Sequence, residues 1–197
     1  MRAMLPRMTA ARRMTVEQWD ELDEDDSREL VDGVLEEAEV TSFIHETAVV
    51  WLITLLGPYF RARGGFVAAS GVKLVIKPDR GRIADVICYA AGHRPEAVGL
   101  VRTPPDILVE VVSPRPRDAR RDRIQKPIDY ASIGVKQYWL VDPHLRIFEI
   151  WRLDAKRRQV RIAAATNGRI ERIPGLPGLE VDVDALWTEV DRLQPST

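Results

Sequence analysis

The chain has 197 residues, 45% of them hydrophobic, which suits one domain with a substantial core and is short for two. Its single cysteine, Cys88, excludes a disulfide framework within the chain and indicates a reducing, cytoplasmic environment. The formal net charge of −1 lacks the basic excess of many nucleic-acid-binding domains, so the distribution of charge is more informative than its sum.

Residues 1–13 contain four arginines and no acid, but they lack the apolar segment and cleavage site of a secretory signal. We predict either a disordered leader or a translation start assigned upstream of the true one at Met14. A single domain is expected over residues 14–192.

Helical and strand patterns alternate through the first part of this domain. Thr15 is suited to cap a short helix that reaches residue 22, and the mixed pattern of 28–40 predicts a strand after a turn at 32–33. Apolar residues then recur every three or four positions over 41–63, which predicts a long helix.

The apolar centre of that long helix, residues 48–56, falls short of the roughly 20 residues that a membrane span needs. We therefore predict a core helix and no membrane segment.

Seven apolar runs rich in β-branched residues and bounded by turn residues predict strands. They are 67–76, 83–90, 107–112, 137–141, 147–153, 160–164 and 169–173, the later ones as antiparallel hairpins. A helix over 118–133 ends at Gly134 and is expected to kink or restart at Pro127, and a short helix follows at 184–192. This order predicts an α/β fold, with a mixed β-sheet flanked by helices.

Two acids lie within these apolar runs. Asp85 stands between Ala84 and Val86, and Glu110 within 107–112. Burial of an ionised carboxylate costs several kcal/mol unless a cation or hydrogen-bond donors compensate, and a divalent metal would do so for both acids. Alternatively, Asp85 pairs with an arginine such as Arg82, or Glu110 lies on an exposed edge.

The metal would be Mg²⁺ or Mn²⁺, because carboxylate oxygens suit these ions. Zinc is disfavoured, since the three histidines and one cysteine are far apart in the sequence.

Longer motifs resemble a known family. They are RELVDG at 28–33, ADV at 84–86, PDILVEVVSP at 105–114, Lys126 with Tyr130-Ala131, and GVKQYWLVDP at 134–143. Together they resemble the Uma family of bacterial proteins, classed with restriction endonucleases in the PD-(D/E)XK nuclease superfamily, from about Met14 to Leu186. The resemblance implies a restriction-endonuclease-like fold and a Mg- or Mn-dependent endonuclease that hydrolyses DNA.

The resemblance also implies roles for single residues. Asp85 matches the aspartate of the PD motif, Glu110 the acid of the (D/E)XK motif, and Glu29 an acid from an N-terminal element. All three are expected catalytic metal ligands, together with the main-chain carbonyl of Val111. Lys126 matches a lysine that Uma-type sequences have on the following helix.

The chain departs from the superfamily pattern at two positions. Ala84 replaces the proline of the motif, and Val112 stands where a lysine normally follows the second acid. We expect Lys126 to take over that lysine's task, which is to position the attacking water or stabilise charge. Alternatively, Lys126 is a solvated member of an arginine-rich helix.

Basic residues cluster after Glu110 and are weak candidates for contact with nucleic-acid phosphates, although a charge run is more often a solvated face. They are Arg115, Arg117, Arg120, Arg121 and Arg123. His45, on the long helix, is either structural, or contacts phosphate, or supports Glu29.

Restriction-type folds often act on two strands as symmetric dimers, so by analogy we expect a homodimer. A competing hypothesis is a catalytically inactive nuclease-fold module with a binding or structural role, suggested by Val112 and the near-neutral charge. A third is a hydrolase of RNA or nucleotides that uses the same site.

Overall fold

The computed structural model describes residues 13–23, 26–37 and 41–193. The predicted leader therefore lies, apart from Arg13, outside the described residues. Five α-helices occur in the described ranges: α1 Val16–Asp20, α2 Phe43–Arg61, α3 Pro116–Arg120, α4 Lys126–Ile133 and α5 Val183–Asp191. Twelve strands accompany them: β1 Glu29–Val31, β2 Val34–Glu36, β3 Phe66–Ala69, β4 Lys73–Lys77, β5 Arg80–Ile83, β6 Val86–Tyr89, β7 Ile107–Val111, β8 Gln137–Asp142, β9 Ile147–Leu153, β10 Gln159–Ala165, β11 Arg169–Ile170 and β12 Val181–Asp182.

The central sheet has six strands in the order β10-β9-β8-β7-β6-β3. Strands β7 and β8 are parallel and the other neighbours are antiparallel, so the predicted mixed sheet is confirmed. A second, antiparallel sheet has the order β2-β1-β5-β4, and β11 pairs with β12.

Both faces of the central sheet are covered. Helices α2 and α5 pack on the face that contains Val109 and Trp139, whereas α4 packs on the face that contains Leu108 and Tyr138. Strands β7 and β8 are thus buried on both sides, which explains their almost continuous apolar sequences.

Helix α2 is long and apolar enough, over its whole length, to meet the length and composition of a membrane span. It nevertheless buries Ala48, Leu52 and Leu56 completely against the central sheet. The prediction of a core helix is therefore confirmed.

Two of the predicted strands are in fact pairs of strands. The run 67–76 breaks at Gly71, whose φ of 103° is unfavourable for other residues, and its halves β3 and β4 belong to different sheets. The run 83–90 likewise is not one strand: its first residue, Ile83, ends β5, and β6 begins after a break at 84–85. Asp85 therefore lies where the chain crosses from the second sheet to the central one.

The predicted turn at Asp32 and Gly33 is confirmed, with φ values of 49° and 77° that suit a two-residue hairpin. It joins β2 to β1, a three-residue strand that the sequence pattern did not reveal. Strand β1 also pairs with β5, which places Glu29 beside Ile83.

The predicted helix 118–133 consists of α3, a π-helical turn at Arg121–Gln125, and α4. Pro127 accounts for the wide turn, because in a regular helix its ring clashes with the carbonyl four residues earlier. In the π-helical turn the main-chain N–H of Lys126 donates to the carbonyl of Arg121. Helix α4 ends at Gly134, as predicted.

The predicted hairpin that pairs 169–173 with the preceding strand is wrong. Only Arg169–Ile170 forms a strand there, and its partner is β12, eleven or more residues downstream. Ile173 instead packs into the core with Leu176 and Leu179, because burial of these side chains turns the chain away from the sheet edge.

Candidate active site

Asp85 and Glu110 are brought together by the pairing of β6 with β7. Val86 is the cross-strand partner of Val109, so the residues next to them in sequence lie at the same level of the sheet. The main-chain N–H of Val111 donates a hydrogen bond of 2.7 Å to Oδ2 of Asp85. Both carboxylates line one pocket with a volume of about 350 Å³.

Glu110 is 2% exposed and receives two donors from α4. Nζ of Lys126 lies 2.8 Å from Oε2, and the hydroxyl of Tyr130 donates a 2.5 Å hydrogen bond to Oε1. Lys126 also lies 3.0 Å from Oδ1 of Asp122. The ammonium group thus enters the site from the helix and not from β7.

Val112, at the position where the family resemblance predicts a lysine, is buried in the apolar cluster that contains Tyr130 and Leu140. A lysine at this position would bury its charge among hydrophobic side chains. The ammonium group beside Glu110 is that of Lys126.

Glu29 lies on β1 and is surrounded by positive charge. Its Oε2 atom is 2.8 Å from Nη1 of Arg82 and 3.7 Å from Nε of Arg121. Its Oε1 atom accepts a 3.0 Å hydrogen bond from the main-chain N–H of Ile83 and lies 3.8 Å from Nζ of Lys126.

Arg82 does not pair with Asp85, the alternative considered above. It is completely buried and bridges Glu29 to Asp129 of α4, whose Oδ2 atom lies 2.7 Å from Nη2 of Arg82. Glu110 is buried in a central strand, so an exposed edge is excluded as well.

Sequence reasoning assigned no role to Asp122 or Tyr130, and it considered Arg82 only as a partner of Asp85. Asp122 and Tyr130 stand four residues before and after Lys126 on a predicted helix, and this spacing could have revealed them as neighbours of the ammonium. Arg82 offered no comparable local signal.

The pKa directions separate the two glutamates. Burial raises the pKa of Glu110 well above its usual value, Lys126 opposes this, and the negative charges of Asp85 and Asp122 reinforce it. Burial also raises the pKa of Glu29, but the charges of Lys126, Arg82 and Arg121 outweigh burial and hold that pKa below its usual value. The positive charge around Glu110 is thus too small to offset the effect of burial on its pKa, whereas the positive charge around Glu29 is sufficient.

Lys126 shows the complementary effect. Burial would lower the pKa of its ammonium group, but Asp122, Glu110 and Glu29 raise it well above the usual value. Lys126 is therefore charged at neutral pH.

The pocket carries an excess of negative charge that fits a divalent cation. Its described lining includes five acidic side chains and three basic ones: Asp26, Glu29, Glu46, Asp85 and Glu110 against Lys73, Arg121 and Lys126. The described residues contain no group of three or more His, Cys, Asp or Glu side chains placed to hold a metal. Mg²⁺ is often held by only one or two carboxylates, because it keeps several waters. The pair Asp85 and Glu110 fits such a cation.

His45 is buried near the start of α2, and its Nε2 atom lies 3.3 Å from Oδ2 of Asp85. It lines the same pocket. The structure thus brings His45 to Asp85, whereas the sequence had suggested a structural role, contact with phosphate or support of Glu29.

The five candidate arginines divide into two groups. Arg115, Arg117 and Arg120 are exposed around α3. Arg121 is buried in the pocket beside Glu29, and Arg123 pairs with Asp142 at 2.7 Å and with Glu149 at 3.4 Å.

Comparison with known proteins gives three results. The model of the Uma2 family, described as "Putative restriction endonuclease", matches residues 15–184. The chain is similar to the crystal structure of a "putative nuclease belonging to DUF820" from Anabaena variabilis, with a TM-score of 0.73, 14% identity, and coverage of 90% of this chain and 99% of that one. At this identity the likeness shows the fold alone. No curated protein matches the chain.

Proposed function

The chain belongs to the Uma2 family, and on that premise we propose that it is a divalent-metal-dependent endonuclease that hydrolyses phosphodiester bonds of DNA. Family membership supports a nuclease-like function. The divalent metal, the DNA substrate and the roles of single residues are our proposal. The observation behind the proposal is that Asp85 and Glu110 line one pocket, with the Lys126 ammonium 2.8 Å from Glu110.

In this proposal Asp85 and Glu110 hold Mg²⁺ or Mn²⁺, with the carbonyl of Val111 as a third oxygen donor. The main-chain N–H of Val111 orients Asp85, and the hydroxyl of Tyr130 orients Glu110. When bound, the cation supplies Lewis acidity, which activates water at neutral pH and offsets charge on the phosphate.

Lys126 acts beside these carboxylates. Its charged ammonium group faces the pocket and is oriented by Asp122 at 3.0 Å. From there it positions the attacking water or stabilises the negative charge that develops on the phosphate. It thereby replaces the lysine that the superfamily places at the position of Val112.

The exposed arginines Arg115, Arg117 and Arg120 follow the site directly in sequence and are proposed to contact the DNA backbone, with Arg121 closer to the scissile phosphate. Cleavage of both strands would be served by a homodimer in the cytoplasm. Light scattering of the purified protein tests the dimer, and a monomeric mass would exclude it.

The test of the proposed function is calorimetric titration of Mn²⁺ into wild type, Asp85→Asn and a control variant, Glu36→Gln, followed by incubation with supercoiled plasmid. We expect binding and nicking by wild type and the control, and neither by Asp85→Asn. A wild type that binds Mn²⁺ but cleaves no DNA across a wide substrate panel would refute the proposed activity. Matched RNA substrates in the same assay separate a ribonuclease from a deoxyribonuclease.

A second candidate function is the catalytically inactive module. It is favoured by Val112, a buried apolar side chain at the position where the superfamily has a lysine. Absence of Mn²⁺ binding to the wild-type protein would support this candidate, and binding with cleavage would exclude it.

A further inference from the structure

Glu29 differs from Asp85 and Glu110 in the positive charge that surrounds it. Three cationic side chains lie within 4 Å of its carboxylate: Arg82 at 2.8 Å, Arg121 at 3.7 Å and Lys126 at 3.8 Å. Each of its oxygens therefore already faces a cationic group, and Oε1 also accepts the hydrogen bond from Ile83.

Asp85 and Glu110 have far less compensation. Among the described residues Lys126 is the cationic partner of Glu110, and its ammonium group also pairs with Asp122. The contacts of Asp85, with Val111 and His45, both fall on Oδ2, and the described residues offer no donor to Oδ1. A divalent cation would thus be attracted to this pair, whereas near Glu29 it would be repelled by Arg82 and Arg121 in addition to Lys126.

We propose that Glu29 is a positioning residue and not a metal ligand: its carboxylate holds Lys126 and Arg121 in the pocket, while Asp85 and Glu110 bind the cation. This inference rests on the proposed function. It changes the role that family resemblance implies for Glu29 and leaves the roles of the other two carboxylates as proposed.

The positioning effect follows from repulsion between like charges. Lys126, Arg121 and Arg82 converge on one carboxylate, and without it they would repel one another in a buried region. Arg82 also pairs with Asp129, almost one turn beyond Lys126 on α4. Glu29 therefore links β1 and β5 to the helix that presents the ammonium group.

The first measurement compares Mn²⁺ binding and cleavage in Glu29→Gln, Asp85→Asn and Glu110→Gln. The control is Glu36→Gln, because Glu36 lies directly opposite Glu29 on β2. We expect Glu29→Gln to keep the wild-type dissociation constant for Mn²⁺ while kcat falls about 10- to 100-fold. The other two site variants lose Mn²⁺ binding. Equal loss of Mn²⁺ binding in Glu29→Gln and Asp85→Asn would overturn the inference.

The second measurement is a double-mutant cycle of Glu29→Gln with Lys126→Gln, read by urea unfolding of the metal-free protein and by kcat. We expect a favourable coupling free energy in unfolding, and a double variant that cleaves no more slowly than Lys126→Gln alone. Additive effects in both readouts would overturn the inference.

One combination of results separates this inference from the proposed function. Coupling in the metal-free protein, together with a wild type that neither binds Mn²⁺ nor cleaves, would support the contact and overturn the proposed function alone.

If Glu29→Gln does not fold, Glu29→Asp keeps the charge on a shorter side chain. It is expected to bind Mn²⁺ normally with reduced kcat, and loss of Mn²⁺ binding in a folded Glu29→Asp would contradict the positioning role.

Discussion

Replacement of Lys126 by methionine is expected to destabilise the metal-free protein by about 3–5 kcal/mol, the usual cost of removing one partner from a buried ion pair. The ammonium lies 2.8 Å from Glu110 and 3.0 Å from Asp122, and all three side chains are buried. At 2.8 Å and an effective dielectric constant of about 20, one such attraction amounts to about 6 kcal/mol. Protonation of Glu110 relieves part of the loss, which leads to the smaller net value.

The assay is urea unfolding of wild type and Lys126→Met, with and without Mn²⁺, together with plasmid cleavage. Mn²⁺ should stabilise Lys126→Met more than wild type, because the variant leaves the carboxylates with an even larger deficit of positive charge. Cleavage should fall about 10²- to 10³-fold, as for loss of one group that stabilises transition-state charge.

Lys136→Met is the matched control, because Lys136 also pairs with a buried carboxylate, that of Asp106, but its side chain is 63% exposed. Its effect on stability should stay below about 1 kcal/mol. Equal stability of Lys126→Met and wild type, or equal cleavage rates, would refute the reasoning.

Three further predictions concern positions outside the catalytic contacts. Val112→Lys places a charge in an apolar cluster, so it should lower the thermal midpoint and fail to restore cleavage to Lys126→Met; restored cleavage would contradict this. Asp106→Asn should cost roughly 2 kcal/mol in urea unfolding at pH 7. Burial would raise the pKa of Asp106, but hydrogen bonds and the charge of Lys136 outweigh it and lower that pKa. The stabilisation by the Asp106 carboxylate is therefore present above its unfolded-state pKa and is lost as the pH falls through the lowered pKa. A destabilisation by Asp106→Asn that does not change with pH would count against this explanation. Gly81→Ala would put a methyl group 2.1 Å from the ring of Trp19 and should destabilise by about 1–3 kcal/mol, and an unchanged thermal midpoint would disprove that.

Several features of the fold and the candidate site follow from local sequence. Glu110 lies in a nearly continuous apolar run, so its carboxylate needs a compensating partner if that strand is central in the sheet. The spacing of Lys126 and Tyr130 puts both on one face of a helix, and both do contact Glu110. The turn at 32–33 and the helix end at Gly134 were predictable because they depend on backbone preferences of the residues themselves.

Other features were decided by the tertiary structure. The runs 67–76 and 83–90 each look like one strand, because hydrophobicity does not say which sheet a residue joins. Strand β1 is too short to show a periodic pattern and forms through its pairing with β2 and β5.

The partners of Arg82 illustrate the same limit at the site. Local sequence suggested Asp85, three residues away, whereas the structure pairs Arg82 with Glu29 and Asp129, which are 53 and 47 residues distant. A buried charge takes the partner that strand and helix packing bring within contact, and sequence neighbours do not determine that packing. The sequence by itself therefore indicated that Asp85 and Glu110 need compensation, and the tertiary structure decided which partners provide it.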